Sequence, residues 1–234
     1  SYSLPHEMFK ATGTYSAEYL ADAGYMFDHW ETTGQVSVSD TNANPTTVTV
    51  SGNGTLKAIY KVYTPVLFED GFESSNFSAW TGTLITSGEA ATVVNATSYH
   101  GNCSAFFASN GDGGFEGAYC YRNILSQSEL YARGYFYISQ SGIADDDDRF
   151  YFIILRAGGN NVAYAGWRRI GGVVKWHLLI RNGTNYVDAY STTSPSLNQW
   201  YSIELHWVRD STNGRGELYV DGVSVCSISG RNTS

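Results

Sequence analysis

One stretch near the end of the sequence, residues 199–225, constrains the fold more strongly than any other part of the chain. Residues 201–207 alternate apolar and polar side chains, which is the two-residue period of a strand with one buried face. A turn rich in Asp, Asn and Gly follows over residues 210–216, and a second alternating run leads to Asp221-Gly222. Because Asp-Gly favours the two-residue turn of a β-hairpin, the stretch predicts consecutive antiparallel strands.

The order of these features, W-Y-S-I-E-L followed by L-Y-V-D-G, resembles the second half of the concanavalin A-like (laminin-G-like) jelly-roll family. A second segment at residues 68–80, F-E-D-G-F-E-S-S-N-F-S-A-W, resembles the start of the same family. The resemblance covers residues 66–234 and implies an all-β fold, a jelly-roll β-sandwich. The family includes lectins, adhesins, polysaccharide-degrading enzymes and structural surface proteins, so the fold by itself implies no single activity.

Alternating patterns and turn residues divide the second part of the chain into eleven short strands and indicate no helix. The predicted strands lie near residues 90–95, 102–108, 117–124, 130–139, 149–157, 162–169, 173–181, 185–190, 199–208, 216–220 and 223–228. We expect such a set to pack sheet on sheet.

The first part of the chain, residues 1–63, predicts a small N-terminal β domain. Residues 47–60 are expected to form a hairpin that turns at Gly52-Asn53-Gly54. Phe27 and Trp30 lie three residues apart, so a regular strand would place them on opposite faces. Both reach one core only if the strand contains a bulge or ends between them.

Three motifs of this first domain, between residues 20 and 62, resemble the internalin-type B-repeat of bacterial and archaeal surface proteins. They are G-Y-M-F-D-H-W-E, N-P-T-T-V-T-V and T-L-K-A-I-Y. The resemblance implies a spacer or adhesive module without enzymatic activity. Pro65 interrupts strand formation, so we place a short linker at residues 64–65, before the jelly-roll domain at 66–234.

The composition indicates an extracellular or cell-surface protein. Only 15% of the residues are charged, whereas Tyr occurs 18 times and Gly 25 times, which is typical of secreted β-sandwiches and not of disordered chains. The net charge of −8 argues against nucleic acid or anionic lipid as a partner. No apolar run reaches the roughly 18 residues of a membrane span, and residues 1–6 do not have the pattern of a signal peptide.

Six Asn-X-Ser/Thr sequons also favour an extracellular glycoprotein. The candidate glycosylation sites are Asn53, Asn76, Asn95, Asn102, Asn182 and Asn232. Several lie in predicted turns, where an attached glycan would be accessible. The alternative is that they are unmodified turn asparagines.

The cysteines predict one disulfide. A hairpin folded symmetrically about Gly111 and Asp112 would place Cys103 directly opposite Cys120, near disulfide distance. The alternative is two buried thiols. Cys226 would remain as a free thiol, or pair with another chain or with a segment outside this sequence.

The strand phases predict a polar and aromatic sheet face. Its candidate residues, for glycan binding or for an interface, are Arg133, Tyr135, Tyr137, Lys175, His177, Tyr186, Tyr190, Glu204 and His206. If the strands that carry them share one sheet, their rings and hydrogen-bonding groups form a glycan-binding groove. The alternatives are a solvated outer face or one covered by a neighbouring subunit.

The sequence favours a non-catalytic protein and predicts no catalytic residues. Glycosidases need two carboxylates at a defined separation, and enzymes of this fold usually carry them on alternate residues of one strand, which this chain lacks. A polysaccharide lyase needs Tyr, His and Arg groups for proton abstraction. Arg133, Tyr135, His177 and His206 supply these types without a defined spacing, so a lyase or glycoside hydrolase is the alternative function.

Four consecutive aspartates, Asp145, Asp146, Asp147 and Asp148, are the candidate metal ligands. Calcium accepts several carboxylate and carbonyl oxygens, so we predict a structural calcium ion here, with a solvated acidic turn as the alternative. Glu69, Asp70 and Glu73 form a second candidate, because related jelly rolls often hold calcium near their start. The histidines show no zinc spacing.

The resemblance also implies an assembly mechanism. Related domains continue past the strand at 223–228 into a final strand, whereas this sequence stops at Ser234, so either the strands close the sheet differently or one sheet edge is open. An open sheet edge would pair with a strand of another subunit, with residues 1–10 as the candidate donor, and such head-to-tail strand exchange builds filaments. We therefore expect an extracellular surface protein that adheres to glycans, or self-assembles as a filament or surface-layer subunit, or does both.

Overall fold

The computed structural model describes residues 10–20, 25–62, 66–111 and 116–234, and every regular element in these ranges is a β-strand. The prediction of an all-β protein is confirmed. The chain divides between Leu67 and Phe68 into two compact units. The predicted linker residue Pro65 lies outside the described residues, as do residues 1–9 of the predicted strand donor. The parts of the chain that are described contain no helix with the length and apolar character needed to cross a membrane.

The first unit contains a three-stranded antiparallel sheet. Its strands are β1 (Gly13–Ala17), β2 (Tyr25–Val38) and β3 (Thr46–Val62), in the order β1-β3-β2. The predicted hairpin within residues 47–60 is wrong, because β3 continues through residues 52–54. Here β2 and β3 shift register, and Gly34 faces Gly54 so closely that a Cβ on Gly54 would lie 2.1 Å from the Thr33 carbonyl oxygen. The glycines permit a bulge in a long strand pair instead of a turn.

A second bulge, at Asp28, lets Phe27 and Trp30 pack together. The strand register shifts between Phe27 and His29, and the ring centroids of Phe27 and Trp30 are 5.2 Å apart. Trp30 is buried, and its indole N–H donates to the Ala43 carbonyl oxygen at 2.9 Å. The expected bulge is therefore present, and it turns two aromatic side chains of one strand toward the same side.

The second unit is built from strands β4 to β15 in the described ranges. They are β4 (Gly82–Ile85), β5 (Ala90–Val94), β6 (Ser104–Ala108), β7 (Ala118–Tyr121), β8 (Glu129–Tyr137), β9 (Arg149–Ala157), β10 (Asn160–Ile170), β11 (Val173–Asn182), β12 (Asn185–Tyr190), β13 (Trp200–Val208), β14 (Gly214–Val220) and β15 (Val223–Arg231). A strand occupies each of the eleven predicted positions, and β4 is the one that the pattern did not predict.

Two four-stranded antiparallel sheets dominate this unit. Sheet I has the order β15-β14-β13-β8, and sheet II has the order β12-β11-β10-β9. The predicted Asp221-Gly222 turn is present between β14 and β15, and both of its residues have positive φ angles, of 50° and 79°. Two small ladders, β4-β7 and β5-β6, complete the unit.

Sheets I and II contribute to one hydrophobic core. Leu178 and Ile180 of sheet II lie against Gly216 of sheet I, where a Cβ would come within 2.5 Å of the Ile180 Cγ2 atom. The rings of Trp176 and Tyr201 meet edge to face across the same core, with centroids 4.9 Å apart. Burying each large apolar side chain contributes about 1.5–3 kcal/mol to stability. This packing leaves each sheet one outer face, and the jelly-roll connectivity stays a prediction.

The predicted disulfide between Cys103 and Cys120 is not formed, and both cysteines are free. The strands on either side of the expected hairpin pair with other partners, since β6 pairs with β5 and β7 pairs with β4. Cys120 lies opposite Thr83, and the Cys103 sulfur is 3.6 Å from the Ser75 hydroxyl oxygen. The two cysteines are separated because their strands pair with different partners, and the symmetry of a turn does not determine which strands pair.

Cys226 is a buried core residue. Its Sγ lies 3.6 Å from the Trp176 carbonyl oxygen, and burial raises the pKa of its thiol to about 12. A thiol in this environment stays protonated and unreactive at neutral pH. The structure therefore places Cys226 in the hydrophobic core to which sheets I and II contribute.

The sequon asparagines differ in exposure. Asn53, Asn76, Asn95 and Asn102 are exposed, whereas Asn182 and Asn232 are half-buried. The side-chain oxygen of Asn182 accepts a hydrogen bond from the backbone N–H of Asn232 at 3.1 Å, which ties β11 to the segment after β15. Glycosylation stays a prediction, and exposure favours the first four sites.

Candidate functional site

The outer face of sheet I carries the exposed part of the predicted site. Along β8, Leu130, Ala132 and Phe136 are partly buried, and the intervening side chains are exposed. This alternation presents Tyr131, Arg133, Tyr135 and Tyr137 on one side. The phase predicted for this strand is correct.

A shallow depression lies on this face and is lined by side chains from three strands and the hairpin turn. Its volume is about 370 Å³, and its lining residues are Tyr131, Arg133, Ser202, Glu204, Tyr219 and Gly222. The strand register explains the grouping, because Glu204 of β13 lies opposite both Arg133 of β8 and Tyr219 of β14. The depression therefore combines two phenol rings with a guanidinium, a hydroxyl and a carboxylate, and we call it the sheet I site.

His206 supports the site from below. Its two ring nitrogens lie 2.7 Å from carboxylate oxygens of Glu217 and Glu129. Its side chain is 2% exposed, and its ring stacks with that of Tyr131 at 4.0 Å between centroids and an interplanar angle of 4°. His206 therefore holds Tyr131 in place and does not itself face an incoming ligand.

Further aromatic rings extend the face beside the depression. Tyr99, from the loop after β5, stacks with Tyr135 at 4.0 Å between centroids. The ring of Trp200 packs against those of Tyr99 and Tyr137, with centroids 5.5 and 5.6 Å apart. Tyr99, Tyr135 and Tyr137 are each more than 40% exposed. These four residues form an aromatic platform next to the sheet I site.

The phenols of the sheet I site remain protonated at neutral pH. Burial and the nearby Glu129 raise the pKa of Tyr131, and burial and Glu217 raise the pKa of Tyr219. Both hydroxyl groups are therefore neutral hydrogen-bond donors and acceptors. This is the chemistry that recognises a hydroxyl-rich ligand.

The predicted glycan face is divided between two sheets, which corrects the assumption of one shared sheet. Arg133, Tyr135, Tyr137, Glu204 and His206 lie on sheet I, whereas Lys175, His177, Tyr186 and Tyr190 lie on sheet II. The reason is that β11 pairs with β10 and β12, and neither β11 nor β12 pairs with β8 or β13. One predicted site therefore becomes two separate outer faces.

On sheet II, His177 is fully buried and hydrogen-bonded. Its Nε2 lies 2.5 Å from Asp188 Oδ1, and its ring stacks with that of Tyr190 at 5.0 Å between centroids. Burial lowers the pKa of His177, against the opposing effect of Asp188. The neutral ring then carries its proton on Nε2, which agrees with a buried Nδ1 that has no hydrogen-bond partner. His177 is thus a structural residue of this face.

The acidic turn before β9 uses its carboxylates within the protein. Asp148 accepts backbone N–H groups of Ala144 and Asp145 at 3.0 and 2.8 Å, and these bonds lower its pKa. Asp147 forms a 2.7 Å ion pair with Arg168. In the described ranges, no group of three or more His, Cys, Asp or Glu residues is arranged to hold a metal ion. The geometry gives the calcium site no support, and calcium stays a prediction.

The second acidic candidate also has internal partners. Glu73 accepts the backbone N–H groups of Asn102 and Cys103, each at 3.0 Å, and these bonds lower the pKa of Glu73. Asp70 accepts the indole N–H of Trp80 at 2.7 Å. These carboxylates therefore fasten loops of the second unit.

The face predicted from the sequence did not include four residues that lie on the sheet I face: Tyr99, Trp200, Ser202 and Tyr219. Tyr219 alternates with the core residues Leu218 and Val220, so its outward position could have been found. Tyr99 arrives from a distant loop, and no local pattern indicates that it reaches β8.

Comparison of the chain with protein-family models, with curated proteins and with solved structures finds no match in any of the three.

Proposed function

We propose that this chain is a non-catalytic glycan-binding protein of the cell surface or extracellular space, and that it binds glycans at the sheet I site. The observation that carries the proposal is the row of exposed rings beside a polar depression. Tyr131, Tyr135 and Tyr137 are 55%, 43% and 41% exposed, although large aromatic side chains usually gain stability from burial.

The chemistry of the depression fits a sugar. A sugar ring has an apolar face that packs on an aromatic ring, and a rim of hydroxyl groups that need donors and acceptors. Arg133 supplies donors, Glu204 supplies acceptors, and Ser202 supplies both. The shallow and open form of the depression favours an internal segment of a glycan chain over a small enclosed ligand.

The same site argues against hydrolysis. Glycosidases need a pair of carboxylates, and Glu204 is the one carboxylate among the residues that line the depression. Glu129 and Glu217 lie close by, but both contact the ring nitrogens of His206. A polysaccharide-active enzyme is therefore the second candidate, and release of unsaturated or reducing sugar ends from glycan substrates is the assay that would favour it.

A glycan array probed with the purified chain tests the proposal, followed by calorimetric titration of the best ligand. Replacing Tyr131 by Ala should weaken binding about tenfold, because one lost aromatic contact costs about 1.4 kcal/mol. Tyr121→Ala is the matched control, since Tyr121 is 42% exposed on β7, away from sheet I. Equal affinity of the Tyr131→Ala variant and the control, or binding to no glycan, would overturn the proposal.

Self-assembly by strand exchange is a second candidate role. It is supported by β15, which pairs along one edge with β14 and has no second ladder partner in the described part of the chain. Such an edge offers backbone groups to another strand. Light scattering and electron microscopy, with and without a calcium chelator, test this role. A monomer under both conditions would exclude assembly, and dissolution of filaments by chelator would assign calcium to the contact.

A further inference from the structure

Sheet II concentrates the positive charge of an otherwise acidic chain. Residues 149–190 contain six of the 14 basic residues but one of the 22 acidic residues. The segment has a net charge of +5 within a chain of net charge −8. The four aspartates at 145–148 directly precede it, and two of them, Asp146 and Asp147, pair with Arg169 and Arg168. The proposed glycan site on sheet I does not account for this segregation.

Three of these cations form one row across the sheet. Arg149 of β9 lies opposite Arg168 of β10, and Arg168 lies opposite Lys175 of β11. Their chain neighbours Trp167 and Trp176 point into the core, so the three cations share the outer face. Like charges placed directly opposite each other destabilise a sheet, so folding alone gives no reason for this row.

The compensation of this charge is incomplete. Arg168 pairs with Asp147 at 2.7 Å and with Asp188 at 3.3 Å. Among the described residues, Arg149 and Lys175 form no ion pair. Two cations on either side of a fixed guanidinium therefore remain available to an anion.

The adjacent row of the sheet is aromatic and closely packed. Tyr151 lies opposite Gly166, and His177 lies between Gly166 and Tyr190 in the register. A Cβ on Gly166 would lie 2.0 Å from the Phe150 carbonyl oxygen, so glycine is required here. Its absence of a side chain allows the Tyr151 ring to approach His177, with centroids 5.7 Å apart. The row of cations thus borders a rigid aromatic surface.

The phenol of Tyr190 is also fixed in this surface. Its oxygen accepts a hydrogen bond from Arg168 Nη1 at 2.8 Å. Arg168 is therefore held by a phenol and two carboxylates, and its guanidinium plane is set before any ligand arrives. Both Nη atoms of Arg168 are engaged by these partners, so Arg168 fixes the centre of the row. Arginine recognises carboxylate and sulfate through paired N–H groups, and Arg149, which has no ion-pair partner among the described residues, can offer them.

We propose that the outer face of sheet II is a second binding site, which takes the carboxylate or sulfate groups of an anionic polysaccharide. Arg149 and Lys175, on either side of the fixed Arg168, contact the anionic groups, and Tyr151 and Tyr190 contact the sugar rings. His177 is fully buried and takes no proton from a substrate, so this site binds without cleaving.

Affinity electrophoresis and calorimetric titration with polygalacturonate, dextran sulfate and neutral dextran test this proposal. The wild-type chain is expected to bind at least one of the two anionic polymers and not dextran, and binding should weaken as salt is added. Polygalacturonate and dextran sulfate distinguish carboxylate from sulfate as the preferred group. A single-stranded oligonucleotide serves as a third anionic probe, and tighter binding to it than to both polysaccharides would overturn the proposal.

The decisive variant is Arg149→Gln combined with Lys175→Gln, because neither side chain has an ion-pair partner to lose. We expect at least tenfold weaker binding and a melting temperature that is unchanged or higher, since cross-strand repulsion is relieved. Lys57→Gln combined with Lys61→Gln removes the same charge from the first unit and should change affinity less than twofold. Equal losses in the two double variants, unchanged affinity in the first, or no binding by the wild-type chain would overturn the proposal.

The Tyr131→Ala variant distinguishes binding at the sheet I site from binding at sheet II. Tyr131→Ala removes a ring from sheet I and should leave polygalacturonate and dextran sulfate binding unchanged. Loss of anionic polymer binding in Tyr131→Ala would assign that binding to sheet I and overturn the sheet II site.

Discussion

Sheets I and II each hold a buried histidine, but the residues around it differ between the two sheets. On sheet I, His206 lies between the carboxylates of Glu129 and Glu217 and beneath an exposed Tyr131. On sheet II, His177 contacts one carboxylate, that of Asp188, and lies between tyrosine rings. The same strand alternation therefore places an exposed tyrosine ring over a histidine and two carboxylates on sheet I. On sheet II it produces a cationic, closely packed surface.

This difference shows that the side chains around a histidine on the outer face of a sheet determine its structural role. Each histidine ring stacks with a tyrosine ring and orients it: His206 with Tyr131, and His177 with Tyr190. We propose that Arg133 and Glu204 on sheet I bind neutral sugars, and that the excess of arginine and lysine on sheet II selects anionic groups. Four tests examine this contrast.

The largest effect is expected for Gly166→Ala on sheet II. The added Cβ would meet the Phe150 carbonyl oxygen at 2.0 Å, and backbone atoms cannot move aside as a flexible side chain would. We expect a loss of about 3 kcal/mol or more in the free energy of unfolding. Gly71→Ala is the control, because its Cβ would have no neighbour closer than 3.8 Å. Urea unfolding measures both, and equal stability of the two variants would show that the aromatic row does not depend on this glycine.

A smaller loss is expected for His206→Ala on sheet I. The change removes the support beneath Tyr131 and leaves two carboxylates without their partner, which we expect to cost about 2–3 kcal/mol. Arg215→Ala is the matched control, because Arg215 contacts the same Glu129 at 3.7 Å on the surface and should change stability by less than about 0.5 kcal/mol. Thermal unfolding compares them, and a similar effect of the two changes would contradict a supporting role for His206.

Acidification should reveal His177. Its pKa is lowered by burial, so the unfolded chain binds a proton at a pH where the folded chain does not. Stability contributed by this group is present above the unfolded pKa of about 6.5 and falls as the pH drops below it, by at most about 1.4 kcal/mol per pH unit. The lowered carboxyl pKa values, such as those of Asp148 and Asp210, act at lower pH.

Urea unfolding of the wild-type chain and of His177→Gln, from about pH 7.5 to about pH 5, checks this expectation. The variant should lose less stability than the wild-type chain over this interval. An identical pH dependence in both chains would show that His177 titrates in the folded state as it does in the unfolded state.

The smallest effect is expected for reduction of the thiols. Mass spectrometry should find the same mass before and after a reducing agent, because none of the three cysteines is bonded. In the native chain, iodoacetamide near neutral pH should leave Cys226 unmodified, since burial raises its pKa to about 12. A mass increase of two hydrogens on reduction would show that the chain contains a disulfide, as the sequence predicted.

Local patterns predicted most strands of the second unit but only part of its candidate sites. The alternation in β8 and β13 identified Arg133, Tyr135, Tyr137, Glu204 and His206 as outward residues of sheet I. The row of cations on sheet II was not recognised, because its three members belong to three strands. Only the register of β9, β10 and β11 places them side by side.

The sequence by itself determined the all-β class, eleven of the strand positions in the second unit and the inward side of β8, β11, β12 and β13, because a period of two residues is a local property of the chain. The Asp221-Gly222 turn was predictable for the same reason, since two residues define its backbone. Only the tertiary structure decided which strands pair. Pairing separated Cys103 from Cys120, divided the predicted face between sheets I and II, and brought Tyr99 to Tyr135. Strand partners are chosen by burial and hydrogen bonding across the whole unit, and no single segment contains that information.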